Sequence, residues 1–234
     1  MQATWDLRVF YQDFSDPALR ADVEAVRTLT SQPPVMLAAD QPNLWKLQEV
    51  VVALENLFNL LGKAFQYCQL TLAADTENRE AFRMLEELSA LSVDAQVYQS
   101  ACTRWIGTLN HLDELIAQSP LLAANAFVLR EAHREAAHML PENLERWMLR
   151  MSLSGGDASQ KLRDQLMGTL TVDLNGESLP LPAVRGMAYD PDPIVRKSAY
   201  EAELAAYPKV ALPMAFCLGS IKGEALTMCE AKQY

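Results

Sequence analysis

Among the residues able to do chemistry, the stretch His133-Arg134-Glu135-Ala136-Ala137-His138 comes first. Two histidines with a nearby glutamate are the ingredients of a zinc centre that activates water. In the His-Glu-x-x-His pattern the histidines stand four apart on one helical face, and the glutamate directly follows the first. Here they stand five apart, and Glu135 comes two positions after His133. That spacing turns the imidazoles roughly 140° apart around a helix, so one ion cannot reach both. The stretch is expected to be the polar side of an amphipathic helix that also holds Ala132, Ala136, Ala137 and Leu140.

The other reactive side chains fare no better. Cys68, Cys102, Cys217 and Cys229 form no Cys-x-x-Cys pair and no zinc-ribbon spacing, so free thiols in a reducing cytoplasm are expected. No Ser or Cys lies in a nucleophile-elbow context. Glu86-Glu87 and Asp113-Glu114 are adjacent on helices, point in different directions and read as solvated surface rather than an acid/base pair. Ser154-Gly155-Gly156-Asp157 lacks the glycines and the following Lys-Ser or Lys-Thr of a phosphate loop, and reads as a turn. Asp190-Pro191-Asp192-Pro193 could hold a cation, but Asx capping ahead of proline explains both aspartates. No catalytic, cofactor-binding or metal-binding residue is expected in this chain.

The elements that would position any site are helical. Asp16-Pro17 starts a helix carrying Leu19, Val23, Val26 and Leu29, and Pro33-Pro34 stops it. A second helix opens after Pro42 with the stripe Leu44, Leu47, Val51, Leu54, Leu57, Leu61 and Phe65. Asp75-Thr76 resets the chain, and Phe82, Leu85, Leu88, Ala95, Cys102, Ile106 and Leu109 continue a third helix to about Gln118, making an antiparallel hairpin with the second. Ser119-Pro120 opens a helix ending near Pro141. A short helix, Glu142 to Met151, follows with Leu144, Trp147 and Met148 on its apolar side. The one β signal is "TLTVDLNGESLPLP", where Leu170, Val172 and Leu174 alternate with polar residues and Asn175-Gly176 suits a tight turn. A lone hairpin is marginal, so it must lie on helices or join other strands. The fold class is mainly α, with long antiparallel helices and one small β-hairpin around Asn175-Gly176.

Composition narrows the function classes. With 234 residues, 50% of them hydrophobic and 21% charged, the chain can bury a sizeable core. A net charge of −10 and the lack of a basic stripe argue against a nucleic-acid footprint. No export signal is evident. The longest apolar run, Val210 to Ile221, is too short to span a bilayer, holds Pro213 and Gly219, and reads as a buried helix. A cytoplasmic location without membrane or nucleic-acid partners is the expectation.

The C-terminal third, Leu181 to Tyr234, resembles a segment of the oligoendopeptidase F-like zinc peptidases, within the thimet-type oligopeptidase family. The resemblance rests on Asp192 and Arg196 at a helix start, on Ala199-Tyr200, on Leu218-Gly219-Ser220-Ile221-Lys222, and on Ala231-Lys232-Gln233-Tyr234. Gly219 stands where the family pattern has asparagine. At the other end, "WDLRVFYQDFSDPALRADV" is similar to the family's opening Trp-Asp-Leu, Tyr and Asp-Pro elements, so the resemblance covers Trp5 to Tyr234.

The resemblance implies a division into an N-terminal helical domain over residues 1–119 and the start of a mostly helical catalytic domain over 120–234, including the hairpin at 169–181. It implies a parent enzyme in which zinc, held by a His-Glu-x-x-His beyond Tyr234, hydrolyses internal bonds of short peptides. This chain would form the helical wall and cap of the substrate channel and would be inactive alone. The alternative is a stand-alone, non-enzymatic helical scaffold or binding module. A terminal helix so rich in Leu, Met, Phe and Ile also predicts self-association if nothing buries it.

Overall fold

The computed structural model describes residues 6–75 and 78–234. Trp5 of the opening motif and Thr76 of the expected helix reset lie outside them. The described chain is mainly α-helical with one two-stranded antiparallel sheet. It divides into two compact units, residues 1–149 and 150–234.

In the first unit, α1 (Pro17–Thr30) and a single turn, α2 (Val35–Ala38), precede the long helices α3 (Asn43–Ala74) and α4 (Arg79–Ile106). Asp16 starts α1 as expected. Its carboxylate accepts the backbone N–H of Ala18 and of Gln12, both at 2.8 Å, and these donors hold its pKa below the usual carboxylate value. The cap of α4 is Asn78, whose Oδ1 accepts from Ala81 N at 3.0 Å.

The α3–α4 pair packs along two matching stripes. Leu47, Val50, Leu57, Leu61, Ala64 and Cys68 are buried on α3, and Leu54 packs half-buried among them. On α4 the buried set is Ala81, Met84, Leu88, Leu91, Ala95, Tyr98 and Cys102. Both series step alternately by three and four, the repeat that keeps one seam facing a partner helix, as in coiled coils.

Leu19, Val23 and Val26 of α1 cover this seam. Tyr11, 1% exposed, anchors the approach to α1: its hydroxyl donates to Asp22 Oδ2 at 2.8 Å, and the same oxygen takes Lys63 Nζ at 2.8 Å. Lys63 also lies 4.2 Å from the Tyr11 ring centre, and Tyr67 meets that ring edge-on at 5.3 Å.

The third helix stops earlier than its apolar pattern suggests. It ends at Ile106, capped by Gly107, which lies so close to Ala136 that a Cβ there would overlap that side chain, and the chain turns before α5 (Leu112–Ala117). The helix expected from Ser119 to Pro141 is likewise broken into α6 (Pro120–Ala124), α7 (Ala126–Glu135) and a 3-10 turn over Ala136–His138. Asn125, at φ −101° and ψ 13°, makes the first break, and its amide donates to Leu121 O and Glu55 Oε1, each at 3.1 Å. Leu122 and Leu129 join the α3–α4 core, so the first unit continues past residue 119.

The helix α8 (Glu142–Ser154) forms, but the expected apolar side is not its buried side. Leu144 and Trp147 are 47% and 61% exposed, whereas Glu145 is 5% exposed.

In the second unit, α9 (Gly156–Thr169) leads to β1 (Thr171–Leu174) and β2 (Glu177–Pro180). Asn175 and Gly176 both take positive φ, 53° and 89°, the pair a tight hairpin turn demands. The register sets Val172 opposite Leu179, and Leu170, Val172 and Leu174 are buried as the alternation predicts. The hairpin lies on α10 (Leu181–Gly186) and α11 (Pro193–Ala206), whose Leu181, Val184, Ala199 and Ala206 complete a second core.

The last helix, α12 (Ala211–Lys232), contradicts the expectation of a buried helix. Only Cys217 is buried, while Leu212, Phe216, Leu218 and Leu226 are exposed. No single helix among the described residues is long and apolar enough to cross a membrane.

Candidate functional site

The histidine stretch lands on α7 and the 3-10 turn that follows, so the helix does not carry both imidazoles. His133 places Nδ1 3.0 Å from the Ile106 carbonyl, which fixes a proton on Nδ1 and ties the ring to the end of α4. Among the described residues, no group of three or more His, Cys, Asp or Glu side chains converges as a metal would require.

Three of the four adjacent carboxylates have basic neighbours. Glu87 faces Arg27 at 3.1 Å and Arg20 at 3.4 Å, Asp113 meets Arg130 at 2.8 Å, and Glu114 lies 3.3 Å from His111. The Asp190–Pro193 stretch caps α11: Asp192 Oδ1 accepts Ile194 N at 2.8 Å, and Asp190 Oδ1 accepts Asp192 N at 2.8 Å. Arg196 donates to the carbonyls of Asp190 and Pro191 at 2.7 and 3.0 Å. The Asp192–Arg196 pattern therefore clamps a helix start.

Three polar arrangements escape a reading of the sequence because their partners are distant along the chain. In the first unit, Arg104 and Glu145 grip one residue from both sides: Arg104 Nη2 donates to the Leu140 carbonyl at 2.7 Å, and Leu140 N donates to Glu145 Oε1 at 3.0 Å. They line an open cavity of 290 Å³ with Trp105 and Glu142. In the second unit, the Gly155-Gly156 turn cradles a carboxylate. Glu224 Oε2 accepts Gly156 N at 2.5 Å and Glu224 Oε1 accepts Ser152 Oγ at 2.5 Å, so α12 supplies the anion at the start of α9. The third is Arg185, Glu203 and Tyr207: Arg185 donates to Glu203 at 2.8 Å and to the Tyr207 hydroxyl at 3.0 Å, and Tyr207 donates to Glu203. The hydroxyl bond, and then Arg185, hold the Glu203 carboxyl below its usual pKa.

A further concave surface, a cleft of 240 Å³, lies in the first unit between α3, α4 and α7. Val50, Val51, Ile106 and Leu129 floor it, and Glu55, Asn59, Gln99, Thr103 and Asn125 supply its polar groups. Such a cleft can bind an apolar group and orient it, and it holds no nucleophile–base pair.

Comparison with known proteins agrees with the architecture. Residues 109–171, from just before α5 to the first residue of β1, match the N-terminal family model of oligopeptidase F. No curated protein matches the chain. Among solved structures, an oligoendopeptidase F from Enterococcus faecium superposes with a TM-score of 0.63 at 16% identity, covering 92% of this chain and 42% of that one. A proposed peptidase from Chlamydophila abortus aligns at 20% identity and a TM-score of 0.49, covering 98% and 40%. This chain thus spans about two fifths of the length of those structures. Residues 109–171 are thus similar to the N-terminal model of oligopeptidase F, and the fold of the chain is like that of part of an oligoendopeptidase F.

Proposed function

We propose that this chain is the N-terminal, non-catalytic portion of a zinc-dependent oligoendopeptidase that hydrolyses internal bonds of short peptides. Residues 1–119 supply the helical wall and cap of its substrate channel, and residues 120–234 open its catalytic domain. The match over residues 109–171 carries this reading. The fold likeness to an oligoendopeptidase F and the uncovered apolar side chains of α12 support it.

Zinc enters only through the family. The described residues do not supply a donor set for it: no three His, Cys, Asp or Glu side chains converge among them. Accordingly no catalytic step is assigned to these residues. Their contribution is to shape and close the space in which a peptide lies and to limit the bulk solvent around it.

Two measurements test the proposal. The pure 234-residue chain, given a quenched fluorescent peptide with and without added zinc, is expected to leave it uncut; chelator-sensitive cleavage would overturn the assignment of an inactive portion. Sequencing the gene beyond the codon for Tyr234 is expected to reveal His-Glu-x-x-His followed by a later glutamate, and the product of that longer frame is expected to cut the same peptide. A stop codon at that point would instead favour a stand-alone helical module.

A further inference from the structure

The cleft between α3, α4 and α7 has a construction that core packing does not require. Its floor is fully apolar and closed: Val50, Val51, Ile106 and Leu129 are between 0% and 6% exposed. At 240 Å³ it falls below the roughly 300–1,000 Å³ that encloses a whole drug-sized ligand, and suits one or two aliphatic side chains.

One polar group reaches into this apolar space. Thr103 is 8% exposed and lines the cleft, and among the described residues its hydroxyl has no hydrogen-bond partner. Since no fully buried side-chain oxygen is left unpaired, that hydroxyl is reachable from the cleft itself. A hydroxyl reachable there can donate to or accept from a polar group that enters the cleft.

The mouth adds charge. Asn125 Nδ2 donates to Glu55 Oε1 at 3.1 Å, which orients the carboxylate and leaves its second oxygen for another donor. No Lys or Arg is among the lining residues, so the negative charge there is not neutralised within the cleft. Exposed Phe58 and Val128, with the amides of Asn59 and Gln99, form the rim.

An apolar hole, a carboxylate at its edge and a free hydroxyl inside fit a ligand with an aliphatic group one atom away from a cation. We propose that the cleft binds the N-terminal residue of a peptide, an aliphatic side chain entering the hole while the free α-ammonium pairs with Glu55. That the ligand is a peptide rests on the oligoendopeptidase reading; the pairing of apolar group and cation rests on the cleft alone.

The test is nitrogen-15 NMR of the intact 234-residue chain titrated with Leu-Gly-Gly-amide, its N-acetylated form and Glu-Gly-Gly-amide. The free-amine leucine peptide is expected to shift the amides of Val51, Thr103 and Leu129, with the other two weaker by about fivefold. Glu55→Gln is expected to weaken binding by up to about fivefold, the range of an exposed ion pair. Ala132→Leu fills the hole and is expected to abolish binding. Should that variant not fold, the near-isosteric Thr103→Val is expected to weaken binding with an unchanged circular dichroism spectrum. Equal binding of the acetylated peptide, or shifts that avoid the three cleft residues, would overturn the proposal. A longer gene product that cuts peptides while Leu-Gly-Gly-amide fails to bind would sink the cleft and leave the peptidase reading standing; binding without a peptidase frame would do the reverse.

Discussion

Replacing Glu224 by alanine is expected to loosen the α8–α9 junction, and the size of the effect follows from what the carboxylate holds. It accepts from Gly156 N and from Ser152 Oγ, each at 2.5 Å. Hydrogen bonds to a charged group are worth about 1.5–3 kcal/mol, and an anion at a helix start adds about 0.3–1 kcal/mol. These contributions overlap, Glu224 is only partly buried, and the freed donors regain water. Glu224→Ala is therefore expected to cost about 2 kcal/mol.

The adjacent glycine supplies an internal check. A Cβ at Gly155 would lie 2.5 Å from Glu224 Oε2 and 3.2 Å from Met151 O. Gly155→Ala thus displaces the carboxylate from its cradle, and its cost should largely repeat that of Glu224→Ala. The double variant is expected to be about 1 kcal/mol or more better than the sum of the single losses. Urea unfolding followed by far-UV circular dichroism measures all three variants. Single losses that add to within about 0.5 kcal/mol would refute the cradle argument.

Other expectations follow from the same kind of reasoning. Tyr11→Phe removes one hydrogen bond but keeps the ring under Lys63, for a loss of about 1 kcal/mol. Asp22→Ala, which deprives both the Tyr11 hydroxyl and Lys63 of their partner, should exceed it in the same urea titration. Native alkylation at mildly alkaline pH is expected to label Cys229 alone at first, since Cys68, Cys102 and Cys217 are buried and burial pushes the first two thiols up to about 11 and about 12; mass spectrometry reads the order. Because Glu203 has a lowered folded pKa, its contribution to stability is present above its ordinary value of 4.5 and is lost as pH falls through the folded value. Tyr207→Phe should flatten that acid-side slope in thermal unfolding.

The hairpin turn, the aspartate caps and the α3–α4 pair were legible because each is fixed by neighbours within a few residues: Asn175-Gly176 by positive φ, Asp16 and Asp192 by the helix they start, and the two stripes by helical periodicity. What failed to show depends on distant partners. Gly107, the cap of α4, has no room for a side chain because Ala136 packs against it, and nothing near Gly107 in sequence announces that neighbour. Glu145 is buried, and Trp147 exposed, because Leu140 and Arg104 meet the polar side of α8. The cleft needs α3, α4 and α7 together, so no single stretch carries its signature. The isolated glycine and Asn125 were the available hints of broken helices.

Apolar side chains ring α12: at about 100° per residue, exposed Phe216 and Leu218 lie roughly 160° apart, with buried Cys217 between the two in sequence. A surface of that kind makes its contacts by releasing water, a force that weakens on cooling and strengthens with salts excluded from the protein surface. Whatever covers this helix, a second copy included, is therefore gripped more firmly in warm, sulfate-rich solution and slackens in the cold. Purification at low temperature and low ionic strength then selects the bare form, in which the charge of −10 keeps the molecules apart.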